Sequence, residues 1–375
     1  MAPDLGKIIV IKIGSALLVD EAGEGIRTQW LQSLAADIAE LRHNGQKQIV
    51  IVSSGAIAIG RRHLGLEGRA LKLEEKQAAA ATGQIRLAHA WQEALAHYDI
   101  TVAQILLTLE DTEDRRRHLN GRATIQTLLS LGVVPVINEN DTVATAEIRF
   151  GDNDRLAARV TQMLSADCLI LFSDIDGLYT ADPRLDSNAE FISIIPEITP
   201  EVVAMAGAAP VGYSSGGMVT KIAAAKIAVS AGSRMVIANG RDHHCLSRLM
   251  KGEARHSLFL PQAEPLTARK KWIAAHVKAA GSLIIDEGAV LALRQGKSLL
   301  PAGLVEVKGE FDRGDLVEII DQHQNHIGRG LVGYDSREAL AIKGLKTSAV
   351  SAVLGYEGRG LLLHRDDLVM ESVNE

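Results

Sequence analysis

Short apolar runs alternate with longer amphipathic or alanine-rich stretches through the first two thirds of the chain. Runs such as residues 7–13 and 168–172 are largely apolar at consecutive positions, which is typical of parallel strands covered on both faces. The stretches between them, such as residues 28–44, repeat apolar residues at helical spacing, with Thr28 as a candidate N-cap. The alternation predicts an α/β fold with a mostly parallel sheet sandwiched by helices.

The other elements of this region follow the same pattern. Further strands are predicted over residues 48–52, 101–107, 133–137 and 235–238. Further helices are predicted over residues 73–98, with a break near Gly83, and over residues 120–131. These elements assign residues 1–258 to one domain.

The pattern changes after residue 280. Short strands then alternate with glycine-containing turns, as in SLIID, VEVKG and DLVEII. This predicts a small, mostly β domain over residues 279–375. Residues 259–278, with two prolines and a basic run, are predicted to be a linker.

Composition limits the function without identifying it. The 375 residues carry a net charge of −6, which gives no electrostatic footprint for nucleic acid or an anionic membrane. No apolar run is long enough to span a bilayer and the first residues do not resemble a secretory signal, so a cytoplasmic protein is expected. Cys168 and Cys245 are expected to be buried thiols, and no His/Cys spacing predicts a metal site.

The densest polar cluster follows the strand at residues 133–137. Asn138 and Asp141 come directly after it, and Asn153 and Asp154 open the next helix. Open α/β sheets bind ligands at the carboxyl ends of strands and at helix starts. The ligand site is therefore expected here, although each residue taken singly can also be a turn or helix-end residue.

Three further positions indicate an anionic ligand. Lys12 stands near the end of the first strand, Ser54 follows the second strand, and Lys221 follows a glycine pair at a helix start. Lysines and glycine-rich turns supply the cations and backbone N–H groups that phosphates need. Alternatives remain open at each position: Lys12 can extend from an edge strand to solvent, Lys221 can be a surface lysine, and Ser54 can be a helix cap, a ligand or both.

Standard nucleotide-binding motifs do not account for these positions. No G-x-x-x-x-G-K-[ST] motif occurs. The G-x-G-x-x-G formed by Gly328, Gly330 and Gly333 lies in the predicted β domain, outside any βαβ unit, so we predict a glycine-rich strand and turn and exclude nicotinamide binding. The separate lysines favour phosphoryl transfer, which requires positioned cations more than covalent chemistry from the protein.

Six motifs occur in an order that resembles the amino acid kinase family: KIGS, IVSSGAIAIG, VPVINENDTVATAEI, GDNDRLAA, DGLYTADPR and GGMVTK. The closing β domain resembles a PUA domain. The resemblance implies an ATP-dependent kinase with Mg²⁺ accompanying ATP. Within the family it is most similar to members that phosphorylate the γ-carboxylate of L-glutamate, which gives L-glutamyl 5-phosphate and ADP in the first step of proline biosynthesis.

The resemblance also implies roles for individual residues. Lys12, Lys221 and Asp154 match the family's catalytic positions, and Asp154 is expected to orient the two lysines. The positions that match its glutamate-binding residues are Ser54, Asn138, Asp141 and Asn153. The positions that match its nucleotide-binding residues are Lys12, Gly14, Ser173, Asp174, Ser215, Gly216, Gly217, Met218, Val219, Thr220 and Lys221. Asp141 is expected to bind the substrate ammonium, and Asn153 and Ser54 its α-carboxylate.

Further properties are implied by the resemblance. A loop over residues 207–217 is a candidate lid that keeps water from the acyl phosphate. Inhibition by proline and assembly into homo-oligomers, dimers or tetramers, are expected from the family. RNA binding, the alternative that a PUA-like domain raises, is disfavoured because residues 281–375 hold 10 Lys and Arg against 15 Asp and Glu.

Overall fold

A computed structural model describes residues 2–20, 25–143, 152–207, 217–261, 263–264, 267, 279–358 and 360–371. The chain divides into two compact units, Met1–Pro265 and Leu266–Glu375. Phe259, the first residue of the predicted linker, is fully buried and ends a strand of the first unit. The first unit therefore extends beyond residue 258, and the other linker bounds stay a prediction.

In chain order the first unit contains β1 (Ile8–Ile13), α1 (Ser15–Leu18), β2 (Val19–Asp20), β3 (Gly25–Ile26), α2 (Thr28–Gly45), β4 (Gln48–Ser53), α3 (Ala56–His63), α4 (Leu73–Ala96), β5 (Val102–Leu107), α5 (Leu109–Glu113), α6 (Arg115–Ser130), β6 (Val134–Glu139), α7 (Asp152–Leu164), β7 (Cys168–Ser173), β8 (Leu178–Tyr179), β9 (Phe191–Ile192), β10 (Ile194–Ile195), α8 (Pro200–Met205), α9 (Met218–Ser230), β11 (Arg234–Asn239), α10 (Cys245–Met250) and β12 (His256–Phe259). The strands predicted from apolar runs are all present. Thr28 is the first residue of α2 rather than its N-cap, which is Arg27.

Eight of these strands form one sheet in the order β10-β12-β11-β7-β1-β4-β6-β5. The strands from β11 to β5 are parallel, whereas β12 is antiparallel to β11. The predicted mostly parallel sheet is thus confirmed, and the antiparallel β12 was not predicted. The chain leaves β1 for β4 on one side and later returns to β7 on the other. This switch in strand order opens a crevice at the carboxyl end of β1.

Alternation along β1 decides which face of the sheet each side chain meets. Ile9, Ile11 and Ile13 lie in the core that includes α2, α4 and α10. Val10 lies in the opposite core, with residues of α6, α7 and α9. Lys12 shares the parity of Val10, so its side chain lies on the face that α7 and α9 cover.

Helix α4 is continuous, so the predicted break near Gly83 is wrong. A Cβ atom at Gly83 would lie 1.8 Å from the carbonyl oxygen of Ala56, and one at Gly60 would lie 1.8 Å from the carbonyl oxygen of Ala79. Both glycines therefore serve the close approach of α3 to α4, since any larger side chain would collide with backbone. Local sequence signals cannot distinguish this use of glycine from a helix end.

We expect Gly83→Ala to lower the free energy of unfolding by about 3 kcal/mol, because the new methyl group overpacks a backbone contact. Gly121→Ala is the matched control: Gly121 is also inside a helix, but its Cβ would lie 3.7 Å from the nearest atom. That substitution should be neutral or stabilise by up to about 1 kcal/mol. Denaturant titration of both variants measures the difference, and equal stabilities would contradict the close-approach explanation.

The second unit contains β13 (Gly281–Ile285), α11 (Glu287–Arg294), β14 (Leu304–Gly309), β15 (Leu316–Asp321), β16 (His326–Leu331), α12 (Ser336–Ala341), α13 (Thr347–Leu354) and β17 (Leu368–Met370). Its strands form one sheet in the order β14-β13-β15-β16-β17. The predicted β character is confirmed, but the three helices were missed. Gly328 and Gly330 lie within β16, where a Cβ would come within 2.8 Å of backbone oxygens beside β17, so the predicted glycine-rich strand is confirmed.

None of the helices in the described part of the chain is both long enough and apolar enough to cross a bilayer.

Candidate active site

Asp154 lies between two buried lysines. Its Oδ1 is 2.7 Å from Lys12 Nζ, and its Oδ2 is 3.3 Å from Lys221 Nζ. The Thr220 hydroxyl lies 2.9 Å from the same Oδ2. Asp154 is fully buried, and the two lysines are 7% and 4% exposed. One carboxylate therefore holds two ammonium groups that come from opposite ends of the first unit in sequence.

Three elements bring these charges together. Lys12 is the fifth residue of β1 and faces α7 and α9, Asp154 is in the first turn of α7, and Lys221 is in the first turn of α9. The starts of both helices lie at the carboxyl edge of the sheet, as βα units require. The expectation that Asp154 contacts both lysines agrees with this geometry.

Opposing effects act on the pKa of Asp154. Burial alone would raise it, but the charges of Lys12 and Lys221, together with hydrogen bonds from Lys12 and Thr220, lower the pKa to about 2. Asp154 is thus ionised at neutral pH. The three charged groups carry a net charge of +1 in a site shielded from water, and such a site suits the oxygens of a phosphate.

A row of amide and hydroxyl groups lies next to this charged cluster. Asn153 Nδ2 donates to Ser54 Oγ at 2.8 Å and to Asn138 Oδ1 at 3.1 Å. Asn138 Nδ2 in turn donates to Gln84 Oε1 at 2.7 Å. We call Gln84, Asn138, Asn153 and Ser54 the amide row. Asn153 and Asp154 are consecutive residues of α7, so the amide row and the charged cluster meet in the first turn of this helix.

The alternative that Ser54 caps a helix is not supported. The residue at the N-cap of α3 is Gly55, with φ 109°, and no side chain caps this helix. Ser54 instead donates its backbone N–H to the Ile13 carbonyl and accepts from Asn153 through its hydroxyl. Its side chain belongs to the amide row.

The remaining positions of the predicted glutamate site lie at the same sheet edge. Asn138 is the penultimate residue of strand β6 and is 2% exposed. Asp141 follows two residues after the end of β6 and is 8% exposed. Both are therefore placed beside the carboxyl ends of β6 and β4, where the amide row begins.

The predicted nucleotide positions fall at the ends of β1 and β7 and at the start of α9. Ser173 ends β7, and its hydroxyl donates to Asp174 Oδ1 at 3.0 Å. A Cβ at Gly14 would lie 3.8 Å from Lys12 Nζ. Arg241, which follows β11 and was not predicted, reaches within 3.9 Å of Asp174 Oδ2.

Helix α9 begins with the remaining described positions of the GGMVTK motif. Gly217 is its N-cap, and Met218, Val219, Thr220 and Lys221 form its first turn. Ser215, Gly216 and most of the candidate lid, residues 208–216, lie outside the described residues. The lid stays a prediction.

Gln84 is a second residue, after Arg241, that sequence reasoning missed. It is 8% exposed and lies on the face of α4 that also buries Ala80, Leu87 and Trp91. A glutamine on an otherwise apolar helical stripe is a signal for a buried polar role, because a buried amide needs partners. Its contact with Asn138 joins positions 54 residues apart and has no local signature.

Within the described ranges, no group of three His, Cys, Asp or Glu residues is arranged to hold a metal ion.

Comparison with known proteins agrees with this geometry. The profile of the amino acid kinase family matches residues 7–239, and that of the PUA domain matches residues 281–354. The chain is 60% identical to the glutamate 5-kinase of Paramagnetospirillum magneticum over 97% of this chain and 98% of that protein. It is 59% identical to the glutamate 5-kinase of Rhizobium rhizogenes over 96% of this chain and 92% of that protein.

A solved structure is similar in fold to about two thirds of the chain. Carbamate kinase from Giardia lamblia bound to AMP-PNP aligns with 68% of this chain and 99% of that chain, with a TM-score of 0.50 and 14% sequence identity. At this identity the likeness concerns the fold alone.

Proposed function

The chain belongs to the amino acid kinase family, and from that premise we propose that it transfers the γ-phosphoryl group of ATP to the γ-carboxylate of L-glutamate. The products are L-glutamyl 5-phosphate and ADP, and the reaction is the first step of proline biosynthesis. Relatives at 56–60% identity over nearly the whole chain are glutamate 5-kinases. The observation that carries the proposal is the Lys12–Asp154–Lys221 cluster, which lies one residue from the amide row.

Charge stabilisation is the main contribution of the protein in this mechanism. Lys12 and Lys221 neutralise charge on the phosphoryl oxygens as the bond to ADP breaks and the bond to the carboxylate forms. Asp154 holds both ammonium groups in place, so little reorganisation is needed during transfer. The γ-carboxylate is ionised near neutral pH and needs no general base.

Recognition of glutamate falls to Ser54, Asn138, Asp141 and Asn153 in this proposal. These side chains lie at the carboxyl ends of β4 and β6 or at the start of α7. An amino acid presents an ammonium and an α-carboxylate, which require acceptors and donors respectively. A buried carboxylate at Asp141 and a row of amides and a hydroxyl offer both kinds of group.

The nucleotide enters as its magnesium complex in this proposal. Gly14, Ser173, Asp174 and the start of α9 surround the ends of β1 and β7, where the phosphates would reach both lysines. Mg²⁺ in kinases is held largely by substrate phosphates and water, with one or two carboxylates. The sparse acidic ligands in the described part of the chain fit that mode, and Asp174 is an exposed carboxylate of the nucleotide region.

Further parts of the proposal rest on family resemblance. We infer inhibition by proline at the glutamate site and assembly into homo-oligomers. A cytoplasmic location fits Cys168 and Cys245, which are buried free thiols. The β domain over residues 281–375 is assigned a structural or regulatory role rather than RNA binding, because these residues hold 15 Asp and Glu against 10 Lys and Arg.

Incubation with ATP, Mg²⁺ and hydroxylamine tests the activity, since hydroxylamine converts an acyl phosphate into a coloured hydroxamate. We expect hydroxamate from L-glutamate and at least about tenfold less from aspartate, which is one methylene shorter, or from N-acetylglutamate, which lacks the ammonium. Reactions without ATP serve as the control. Product from aspartate or acetylglutamate without product from glutamate would contradict the proposal.

A further inference from the structure

The amide row has a direction, and Gln84 stands at its buried end. Gln84 Oε1 accepts from Asn138 Nδ2, which leaves Asn138 Oδ1 to accept from Asn153 Nδ2. Asn153 Nδ2 also donates to Ser54 Oγ. Asn138 therefore accepts on one side and donates on the other, whereas Gln84 only accepts, since its Nε2 is buried without a hydrogen-bond partner among the described residues. Whether position 84 accepts or donates determines the orientation of Asn138 and then of Asn153.

This direction decides what the open end of the row offers to a ligand. Both hydrogens of Asn153 Nδ2 are taken by Ser54 and Asn138, whereas Asn153 Oδ1 is buried without a partner among the described residues. The Ser54 oxygen already accepts from Asn153, so the proton of its hydroxyl is left to donate. Asn153 thus presents an acceptor and Ser54 a donor.

The reverse direction would present the opposite groups. If position 84 donated to Asn138, then Asn138 would donate to Asn153 Oδ1, and Asn153 would offer N–H groups instead of an oxygen. Gln84 is 8% exposed, and it is the residue of the row that lies on α4, beside the Gly83 contact with α3. Gln84 is therefore carried by a helix whose backbone is closely packed against α3.

We propose that Gln84 is a positioning residue that sets the hydrogen-bond polarity of the amino acid site. Resting on the proposed function, this assigns Asn153 Oδ1 to the ammonium of glutamate and the Ser54 hydroxyl to its α-carboxylate. Asn153 then binds the ammonium, beside Asp141. This differs from the expectation from the sequence, in which Asn153 bound the α-carboxylate. A buried acceptor and a half-buried donor for opposite ends of one α-amino acid also reject ligands that lack either group.

Three variants test the proposal. Gln84→Met keeps the volume but removes the acceptor, so Asn138 and Asn153 lose their fixed orientation. Gln84→Glu keeps an acceptor oxygen toward Asn138 Nδ2. Gln92→Met, at an exposed position of the same helix, is the matched control. For each protein we would measure kcat and the KM values for glutamate and ATP, together with the melting temperature.

We expect Gln84→Met to raise the glutamate KM by about ten- to a hundredfold, the effect of one or two weakened hydrogen bonds. Its kcat and ATP KM should stay within about threefold of wild type, and Gln84→Glu should recover most of the glutamate affinity. Gln92→Met should match wild type throughout. Parallel losses in the ATP and glutamate parameters would indicate a structural role only and overturn the proposal.

The polarity itself has a separate test. In the contradicting result, Gln84→Glu melts like Gln92→Met and yet shows a glutamate KM that is about a hundredfold higher than that of wild type. That result would overturn the assignment of an acceptor to position 84. This comparison remains decisive if Gln84→Met does not fold. Failure of wild-type enzyme to form hydroxamate from glutamate would instead overturn the proposed function, so the two failures are distinguishable.

Discussion

Replacing Lys221 with methionine should lower kcat by about a hundred- to a thousandfold while the glutamate KM changes by only a few fold. Lys221 contacts Asp154 in the charged cluster and lies in the first turn of α9. In the proposed mechanism its ammonium acts on phosphoryl oxygens rather than on the amino acid. One preorganised charged donor contributes about 3 kcal/mol to the stabilisation of such a transition state. Steady-state kinetics with both substrates varied gives the two parameters.

Lys226→Met is the control for Lys221→Met. Lys226 belongs to the same helix but is exposed, so the same chemical change should leave kcat within about twofold. If Lys221→Met kept its kcat and raised only the KM for ATP, Lys221 would contribute to ground-state binding alone. That result would remove it from the transfer step.

Asp154→Asn should lower kcat by about a thousandfold or more, the larger of the two effects, because it disturbs both lysines at once. The substitution preserves shape but leaves two buried ammonium groups without their counter-charge. Breaking a buried ion pair from one side typically costs 3–5 kcal/mol of stability. We therefore expect a lower melting temperature together with the loss of rate, measured by thermal unfolding and hydroxamate formation.

The stability difference between Asp154→Asn and wild type should depend on pH in a defined direction. The native-state pKa of Asp154 is lowered to about 2 from an ordinary value of 3.8. The stabilisation is therefore fully present above about pH 4 and is lost as the pH falls toward 2, where wild type protonates this carboxyl. Unfolding measured between pH 6 and pH 2.5 should show the two curves converging at the acidic end. A constant gap would argue against Asp154 as the ionised centre of the cluster.

Local signals were sufficient for much of the fold and for the positions of Lys12, Asp154 and Lys221 at element boundaries, whereas the pairing of Asp154 with both lysines was implied by the family resemblance. Continuous apolar runs identify the buried parallel strands, because strands covered on both faces cannot alternate with polar residues. Lys12, Asp154 and Lys221 each stand at an element boundary next to the carboxyl edge of the sheet, and that edge gathers such boundaries in space. The roles of these residues in glutamate and ATP binding stay predictions.

The missed features depend on contacts between distant segments. Gly83 resembles a helix breaker until α3 is placed against it. The antiparallel β12 and the helices of the second unit are short, and their stability comes from packing rather than from intrinsic propensity. Gln84 is informative only once Asn138 lies beside it. In each case the deciding partner lies more than 20 residues away, or the element is too short for a periodic signal.

The adjacency of Asn153 and Asp154 has a consequence for how such a protein can diversify. Consecutive residues on a helix point about 100° apart, so Asn153 turns toward β4 and β6 while Asp154 turns toward β1 and α9. If the proposed function holds, mutations around Asn153 can alter which substrate receives the phosphoryl group without displacing the lysines. A new substrate preference can then evolve by a few substitutions on one side of a single turn, while the lysines and Asp154 on the other side stay unchanged.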